Sequence, residues 1–282
     1  MKPANEIYKA LSPAQKRFIR ENGMEAKMSI PKWIRFLEPI CEFDSRSDAL
    51  KRKLTKLNII FMVTLFVVLL VSIFTQFIPG LMIGVPLFLL LIIATSIYRH
   101  RYNRRDVNDN VRLVILPLLH YLSLDVGHKQ PISLNINFRK PLAKADISDT
   151  ESKGWFLRPN KSKFYDYEVM RLDAQFLDKT RMQLKVADRI RERTRSNARG
   201  KIKTKVKLKR RIMVCLTFSP TLYQLSETGQ RSIRASQSER GIKVKHTIKQ
   251  STQGVIAEIP MEQVLRQIAG LYSFIEVKER AA

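Results

Sequence analysis

A run of 42 residues, 57–98, contains no Asp, Glu, Lys or Arg, and it constrains the fold of this chain more than any other feature. Within it lie two apolar segments, residues 58–77 and 81–98, joined by the three residues Ile-Pro-Gly. About 20 apolar residues in a helix cross the ~30 Å hydrocarbon core of a bilayer. Two such segments with so short a connection predict a transmembrane helical hairpin over residues 57–98.

Basic residues flank this predicted hairpin on both sides. Lys53 and Lys56 precede the first segment, and Arg99 and Arg101 follow the second. Lys and Arg near membrane spans are enriched on the cytoplasmic side. The flanks therefore predict an integral protein of the bacterial inner membrane with both termini in the cytoplasm.

Two apolar segments beside the hairpin each allow two interpretations. Residues 31–43 (PKWIRFLEPICEF) combine aromatic and basic side chains, which fits either a membrane-interface helix or a short helix packed on the protein. Residues 111–124 are too short for a third span, so they are either buried against a cytosolic domain or lie on the bilayer. The residues predicted to lie at the membrane interface are Trp33, Lys53, Lys56, Tyr98, Arg99 and Arg101.

Beyond residue 131 the hydrophobic pattern changes to a period of two. The segment ISLNINF (132–138) alternates apolar and polar residues, which predicts a half-buried strand. Further alternating segments predict strands on either side of a turn at Asp178-Lys179-Thr180, a strand over 201–218, and a pair joined near Gly241. The polar residues 143–164 predict a long loop.

The pattern as a whole predicts an α+β membrane protein. Its cytosolic β domain is expected to be mostly antiparallel, in a sandwich or barrel-like arrangement, with flanking helices. Ser12 before Pro13 predicts the start of an N-terminal helix, and Gly23 its end. The predicted regions are an N-terminal helical region (1–56), the hairpin (57–98), a juxtamembrane helix (99–130), a basic β domain (131–258) and a C-terminal amphipathic helix (259–282).

The charge of the chain is concentrated in one short part of this β domain. The whole protein has a net charge of +26, and residues 185–211 hold 13 basic and 2 acidic residues, a net charge of +11. Within that segment every odd position from 189 to 195 and from 199 to 211 is Lys or Arg. Because alternate residues of a strand point to the same face, these cations are expected on one side of the sheet.

The two basic runs are predicted to form a hairpin. If residues 196–200 connect them, Arg195 lies opposite Lys201 and Arg193 opposite Lys203, and a shift of two residues still places cation opposite cation. Like charges at directly opposed positions destabilise a sheet, so such an array indicates an anionic counterpart. The residues predicted to bind an anionic partner are Arg189, Arg191, Arg193, Arg195, Arg199, Lys201, Lys203, Lys205, Lys207, Lys209, Arg211, Lys243 and Lys245.

Several partners remain open for this cationic surface. The simpler interpretation is a solvated face whose charges prevent other chains from pairing with an exposed sheet edge. A few charges of mixed sign would be enough for that protection. Anionic phospholipid and an acidic protein are the favoured partners, and a homo-oligomer is an alternative. Nucleic acid is not favoured, because no Phe, Tyr or Trp lies between Phe176 and Phe218 to stack on bases.

The sequence contains none of the usual catalytic or metal-binding motifs. It has no P-loop, no GxSxG, no HExxH and no paired CxxC, so no catalytic residue, metal site or cofactor is predicted. The expected function is that of a non-enzymatic, membrane-anchored adaptor or complex subunit. The alternative is a ligand-gated membrane effector, in which the β domain senses an anionic small molecule and the hairpins then oligomerise.

Overall fold

The computed structural model describes most of the chain, namely residues 3–75, 80–139, 147–153, 160–196, 201–226, 233–239, 241–254 and 258–278. The chain divides into two compact units. The first unit comprises Met1–Arg20 and Phe36–Val107, and the second comprises Glu21–Arg35 and Asn108–Ala282.

Helices form the described part of the first unit and flank the sheet of the second. Their bounds are α1 (Ala4–Ala10), α2 (Pro13–Glu21), α3 (Ile30–Phe74), α4 (Val85–Asn103), α5 (Leu116–Asp125) and α6 (Met261–Tyr272). Single π-helical turns, Gly80–Gly84 and Val111–Ile115, precede α4 and α5. Within the predicted C-terminal helix (259–282), Met261–Tyr272 is helical but Ile275–Val277 forms a strand. Residues 111–124 are helical.

Helix α2 begins as the sequence predicts. The backbone N–H of Gln15 donates to the Ser12 hydroxyl at 3.2 Å, and the backbone N–H of Ser12 donates to Gln15 Oε1 at 2.9 Å. This reciprocal pair is a capping box, which satisfies two backbone donors that a helix start otherwise leaves open. The helix ends at Glu21, and Asn22 follows in the left-handed region with a φ of 49°.

Helix α3 is a single helix of 45 residues, and it includes residues 31–43. Trp33, Leu37 and Ile40 are fully buried and recur at helical spacing, so this end of the helix packs on protein. The prediction that Trp33 lies at a membrane interface is therefore wrong: its ring is 0% exposed and faces protein instead.

Two helices, α3 and one covering Met82–Asn103, are long and apolar enough to cross a membrane. The most apolar windows of these helices have mean hydropathies of 2.8 and 1.9, and only 6% and 0% of their residues are buried. Side chains join the two helices: Asn58 Nδ2 donates to Ser96 Oγ at 3.1 Å, and Thr95 Oγ1 donates to Asn58 Oδ1. A Cβ added at Gly84 would lie 3.2 Å from Val68 Cγ1, so the helices approach closely there. The predicted turn falls largely outside the described residues.

The second unit is built on antiparallel strands. Their bounds are β1 (Gly23–Ser29), β2 (Pro131–Asn137), β3 (Ile147–Lys153), β4 (Asn160–Gln175), β5 (Arg181–Ser196), β6 (Ile202–Phe218), β7 (Tyr223–Leu225), β8 (Ile233–Ser238), β9 (Gly241–Gln253) and β10 (Ile275–Val277). Eight of them form one sheet in the order β1-β2-β4-β5-β6-β9-β8, with β3 paired to β4; β7 and β10 pair separately. All of these pairs are antiparallel.

The sandwich or barrel-like arrangement predicted for these strands is not what the described residues form. The path of the large sheet runs from β1 to β8, and no pairing between those two described strands closes it. Helices cover part of the sheet instead; for example, Tyr272 of α6 packs its ring 5.2 Å from that of Phe218 on β6. An open sheet leaves one face available to solvent where no helix covers it.

Four strands, β1, β3, β7 and β10, were not expected from the sequence. Strand β1 begins at Gly23, which the sequence analysis assigned only to the end of a helix. A Cβ at Gly23 would lie 2.9 Å from the carbonyl oxygen of Ile136, so the close approach of β1 to β2 requires glycine. Strand β3 and the start of β4 lie within residues 143–164, so the long loop predicted there is wrong.

Candidate functional site

The predicted basic hairpin is formed by strands β5 and β6. Their register is shifted by two residues from the predicted pairing of Arg195 with Lys201. Arg195 lies opposite Lys203 and Arg193 opposite Lys205, not Lys201 and Lys203. Because the displacement is an even number, the same side chains still share one face and cation still faces cation. Lys201 is exposed just before β6, and Arg199 lies outside the described residues.

Burial separates the two faces of these strands as the period-two pattern predicts. Leu184, Val186, Ile190, Leu208 and Ile212 are each 0% exposed and form the covered face. The opposite side, here called the basic face, consists of Lys185, Arg189, Arg191, Arg193, Arg195, Lys203, Lys205, Lys207, Lys209, Arg211 and Lys249.

Strand β9 contributes differently from what the sequence suggested. It places Lys249 directly opposite Arg211 of β6, so Lys249 extends the basic face. The predicted site residues Lys243 and Lys245 lie opposite Thr217 and Cys215, towards the other end of β6. Lys249 follows Lys245 by four positions along the strand, a distance of ~13 Å. Lys243 and Lys245 therefore line a separate depression beside Arg234.

The centre of the basic face is concave. A trough of about 1090 Å³ opens there, and its lining includes Ala187, Arg189, Lys207, Lys209, Arg211 and Lys249. Ala187 is half-buried and lies directly opposite Arg211. Its side chain is a single methyl group, whereas the neighbouring outward residues Lys185 and Arg189 have long side chains. Ala187 therefore forms the floor of the trough.

Acidic residues line one edge of the trough only. Strand β4 places Asp166 opposite Arg189 and Glu168 opposite Ala187. Arg189 Nε lies 3.6 Å from Asp166 Oδ1, and Lys185 forms an ion pair with Glu168. Among the described residues no carboxylate forms an ion pair with Lys207, Lys209, Arg211 or Lys249. The uncompensated positive charge is therefore on the β6 and β9 side.

Strand β4 also brings an aromatic ring to the basic face. The guanidinium carbons of Arg189 and Arg191 lie 5.1 and 5.6 Å from the centroid of the Phe164 ring, within cation–π range. The basic strands themselves contain no aromatic residue, as the sequence shows, but Phe164 of the neighbouring strand was not foreseen. Two cations of the protein already contact this ring.

The electrostatic environment of Arg193, near the end of β5, disfavours its charged form. Desolvation, followed by the positive charges of Arg195 and Arg191, lowers the pKa of Arg193. A bound anion would relieve this repulsion, since opposite charge within about 4–6 Å favours the charged form of a group.

A buried ion pair lies on the covered side of the same two strands. Arg210 donates to both carboxylate oxygens of Asp188, each at 2.7 Å, and the two side chains are 4% and 0% exposed. The Tyr167 hydroxyl also donates to Asp188, at 3.3 Å. This pair was not predicted from the sequence. The alternating pattern of the strands does mark it. Asp188 and Arg210 are charged, but the residues two positions before and after each of them are apolar, so both occupy positions that face the covered side.

The residues predicted at the membrane interface, Trp33 apart, are exposed. Lys53 and Lys56 lie on α3, and Tyr98, Arg99 and Arg101 lie on α4. The Tyr98 ring packs 6.2 Å from that of Tyr102, so aromatic and basic side chains are adjacent at this end of α4.

An acidic cluster in the first unit is already supplied with a cation. Carboxylate oxygens of Asp44, Asp48 and Asp106 lie within 4.8 Å of one another. Lys51 Nζ is 2.6 Å from Asp48 and 2.5 Å from Asp106. Burial alone would lower the pKa of Lys51, but its hydrogen bonds to Asp106 and Asp48 outweigh that effect and raise it. The cluster is a salt-bridge network of the protein.

Comparison with known proteins identifies no family. The chain matches no family model, no curated protein and no solved structure. Only the residues and geometry described above therefore bear on what the protein binds.

Proposed function

We propose that this protein is a membrane-anchored, non-enzymatic adaptor or complex subunit whose cationic β-hairpin docks on an anionic surface. The observation that carries the proposal is the basic face of β5, β6 and β9. Its cations are held at fixed spacing on one side of a sheet, with acidic residues along one edge only. A flexible basic tail would offer the same charge without this order.

The charge pattern supports attraction to an extended anionic surface. Each Lys or Arg near an anionic membrane contributes about 1 kcal/mol. Lys203, Lys205 and Lys207 are exposed near the end of the hairpin, where they can approach such a surface. Anionic phospholipid and an acidic protein are the favoured partners. Nucleic acid is less favoured because the Phe164 ring already lies in cation–π contact with Arg189 and Arg191, which compete with a stacked base.

The anchoring part of the proposal rests on α3 and α4. Their apolar windows are almost entirely exposed, which is costly in water and favourable in lipid. The exposed cations Lys53, Lys56, Arg99 and Arg101 flank these windows and favour a cytoplasmic position for both termini and the sheet. A bacterial inner membrane fits this arrangement.

Vesicle binding tests the proposed docking. We expect full-length protein in nanodiscs of neutral lipid to bind phosphatidylglycerol vesicles at low salt, because the basic face is not neutralised internally. Binding should fall steeply at an ionic strength of about 1 M, where the Debye length is ~3 Å. Co-sedimentation with fluorescent vesicles measures it, with phosphatidylcholine vesicles as the control. Equal binding to both lipids, or none at low salt, would contradict the proposal.

The trough supports a second candidate, a ligand-gated membrane effector. Its volume of about 1090 Å³ suits a small molecule, since ligand sites are commonly ~300–1,000 Å³. In this alternative an anionic ligand fills the trough and the α3–α4 hairpins then associate. We expect light scattering of the detergent-solubilised protein to show a larger oligomer when a nucleotide from a panel is added. One unchanged oligomeric state across the panel would count against this candidate.

A further inference from the structure

The trough contains a gap in an otherwise regular row of long side chains. Of the outward positions of β5 from 185 to 195, only Ala187 lacks a long basic side chain. Across the strands the row through Ala187 reads Glu168, Ala187, Arg211, Lys249. A small neutral floor therefore lies between a carboxylate on one side and two cations on the other.

The spacing around this floor suits a phosphate group. Neighbouring strands are ~4.8 Å apart and successive outward residues of one strand ~6.7 Å apart. Lys185, Arg189 and Arg211 are thus the immediate neighbours of Ala187 along and across the sheet. Lys185 and Arg189 are paired with Glu168 and Asp166, so Arg211 is the neighbour whose charge remains for a phosphate above the methyl group. Lys209 and Lys249 lie beside Arg211 and can complete the group of cations around the phosphate oxygens.

The next row offers a second group of cations. It reads Asp166, Arg189, Lys209, Ser251, and Lys209 lies beside both Arg189 and Arg211. Lys209 and Lys249 have no ion-pair partner among the described carboxylates. Two adjacent groups of cations fit two phosphates of one ligand better than a single isolated anion.

The carboxylates at the edge of the trough restrict which anionic ligands can bind there. Asp166 and Glu168 would repel any polyanion that crosses the strands, which disfavours a long anionic chain lying in that direction. The same carboxylates accept hydrogen bonds, so they suit hydroxyl or amino groups. The trough is thus complementary to a compact molecule with clustered phosphates at one end and hydrogen-bond donors at the other.

We propose that the trough is a binding site for a compact ligand with two or more phosphates, such as a phosphorylated polyol or its lipid-linked form. The phosphates lie over Ala187 against Arg211, Lys209 and Lys249, and donor groups of the ligand face Asp166 and Glu168. This site rests on the proposed anion-binding function and makes it specific, because a defined ligand shape replaces a general attraction to negative charge.

Substitution of the floor tests the site without changing its charge. In full-length protein in neutral nanodiscs, Ala187→Leu fills the gap while every cation remains. We expect wild type to bind soluble inositol trisphosphate in calorimetry, and Ala187→Leu to weaken that affinity by about tenfold or more. The matched control is Thr247→Leu, an enlargement on the same face of β9 outside the trough lining; its affinity should equal that of wild type.

The two sources of the phosphates are distinguished by a vesicle arm. If the ligand is a lipid head group, vesicles with phosphatidylinositol bisphosphate should bind more tightly than phosphatidylglycerol vesicles of equal charge, and Ala187→Leu should abolish the difference. If it is a soluble molecule, only the calorimetric affinity should respond to Ala187→Leu. Either result supports the site.

Three results would overturn the site, and each leaves the proposed docking function separately testable. These are no binding of inositol trisphosphate by wild type, equal affinities for wild type and Ala187→Leu, and tighter binding of a single-stranded oligonucleotide that Ala187→Leu does not affect. Vesicle docking through Lys203, Lys205 and Lys207 is expected to survive Ala187→Leu. If only the docking proposal fails, wild-type protein will not bind phosphatidylglycerol vesicles but will still bind inositol trisphosphate in calorimetry, and Ala187→Leu will still weaken that binding.

Discussion

Replacing Asp188 with Asn is expected to lower the free energy of unfolding by about 3–5 kcal/mol, because it removes one charge of a buried pair. Asp188 and Arg210 are 0% and 4% exposed at their side chains and lie directly opposite each other on β5 and β6. Asn has nearly the same shape as Asp, so the loss reports charge and not volume. Thermal unfolding of the full-length protein in detergent, followed by near-ultraviolet circular dichroism, measures it.

A double substitution provides the control for this prediction. Asp188→Leu combined with Arg210→Met removes both charges and keeps an apolar volume, and such replacements are often neutral or stabilising by about 1–4 kcal/mol. We expect the double variant to recover most of the stability that Asp188→Asn loses. A loss below about 1 kcal/mol for Asp188→Asn would show that water reaches the pair, as at exposed ion pairs.

The buried pair also has a consequence for the trough on the other side of the sheet. Asp188 follows Ala187 in β5, and Arg210 precedes Arg211 in β6. The ion pair between Asp188 and Arg210 therefore also fixes Ala187, the floor of the trough, opposite Arg211, the cation proposed to face a phosphate. A slip of β6 by one residue would turn Arg211 inward and Arg210 outward. The buried charge of Asp188 favours the register in which Arg210 is the arginine that faces it.

Period-two alternation allowed β2, β5 and β6 to be predicted from the sequence. Burial requires one face of each strand to be apolar, so residues such as Leu134, Leu184 and Leu208 mark the covered side directly. The register of the hairpin was not determined by this rule. A shift of two residues preserves every inward and outward position, and only the length of the connection distinguishes the two registers.

The acidic edge of the trough could not be predicted from the sequence in the same way. Asp166, Glu168 and Phe164 belong to β4. Their position beside β5 depends on a register shift in the β4–β5 pairing, which occurs between Glu168 and Met170 of β4. Strand β3 is polar (ISDTESK) and lies at the edge of the sheet on β4, so burial leaves little pattern in it. The sequence therefore predicted a face of almost pure positive charge, whereas the folded sheet has an acidic border.

The length of α3 exceeds what its local signals predict. Residues 31–43 and the span from residue 57 were predicted as separate segments, yet one helix is continuous from Ile30 to Phe74. Residues around Trp33 and Leu37 are buried, whereas those around Phe66 and Ile73 are exposed, and the change from one to the other occurs within one helix. Hydropathy located the apolar part correctly, but helix continuity depends on packing at the other end.

Reversing three charges near the end of the hairpin is expected to remove most docking on anionic vesicles. Lys203, Lys205 and Lys207 are exposed on the basic face, and at ~1 kcal/mol each their loss alone lowers affinity by roughly 100-fold. Substitution of all three by Glu adds repulsion and should weaken binding further. Co-sedimentation of nanodisc-embedded protein with phosphatidylglycerol vesicles at low salt measures the loss.

A variant of equal net charge separates position from total charge. Lys27, Lys129 and Arg139 are exposed in the same unit but lie outside the basic face, and their replacement by Glu changes the net charge equally. We expect this variant to retain most of the vesicle binding, since screening limits interactions beyond a Debye length of ~10 Å at 0.1 M salt. If both triple variants lose binding equally, total charge and not the ordered face drives docking. If the hairpin variant binds like wild type at low salt, the hairpin is not the docking surface.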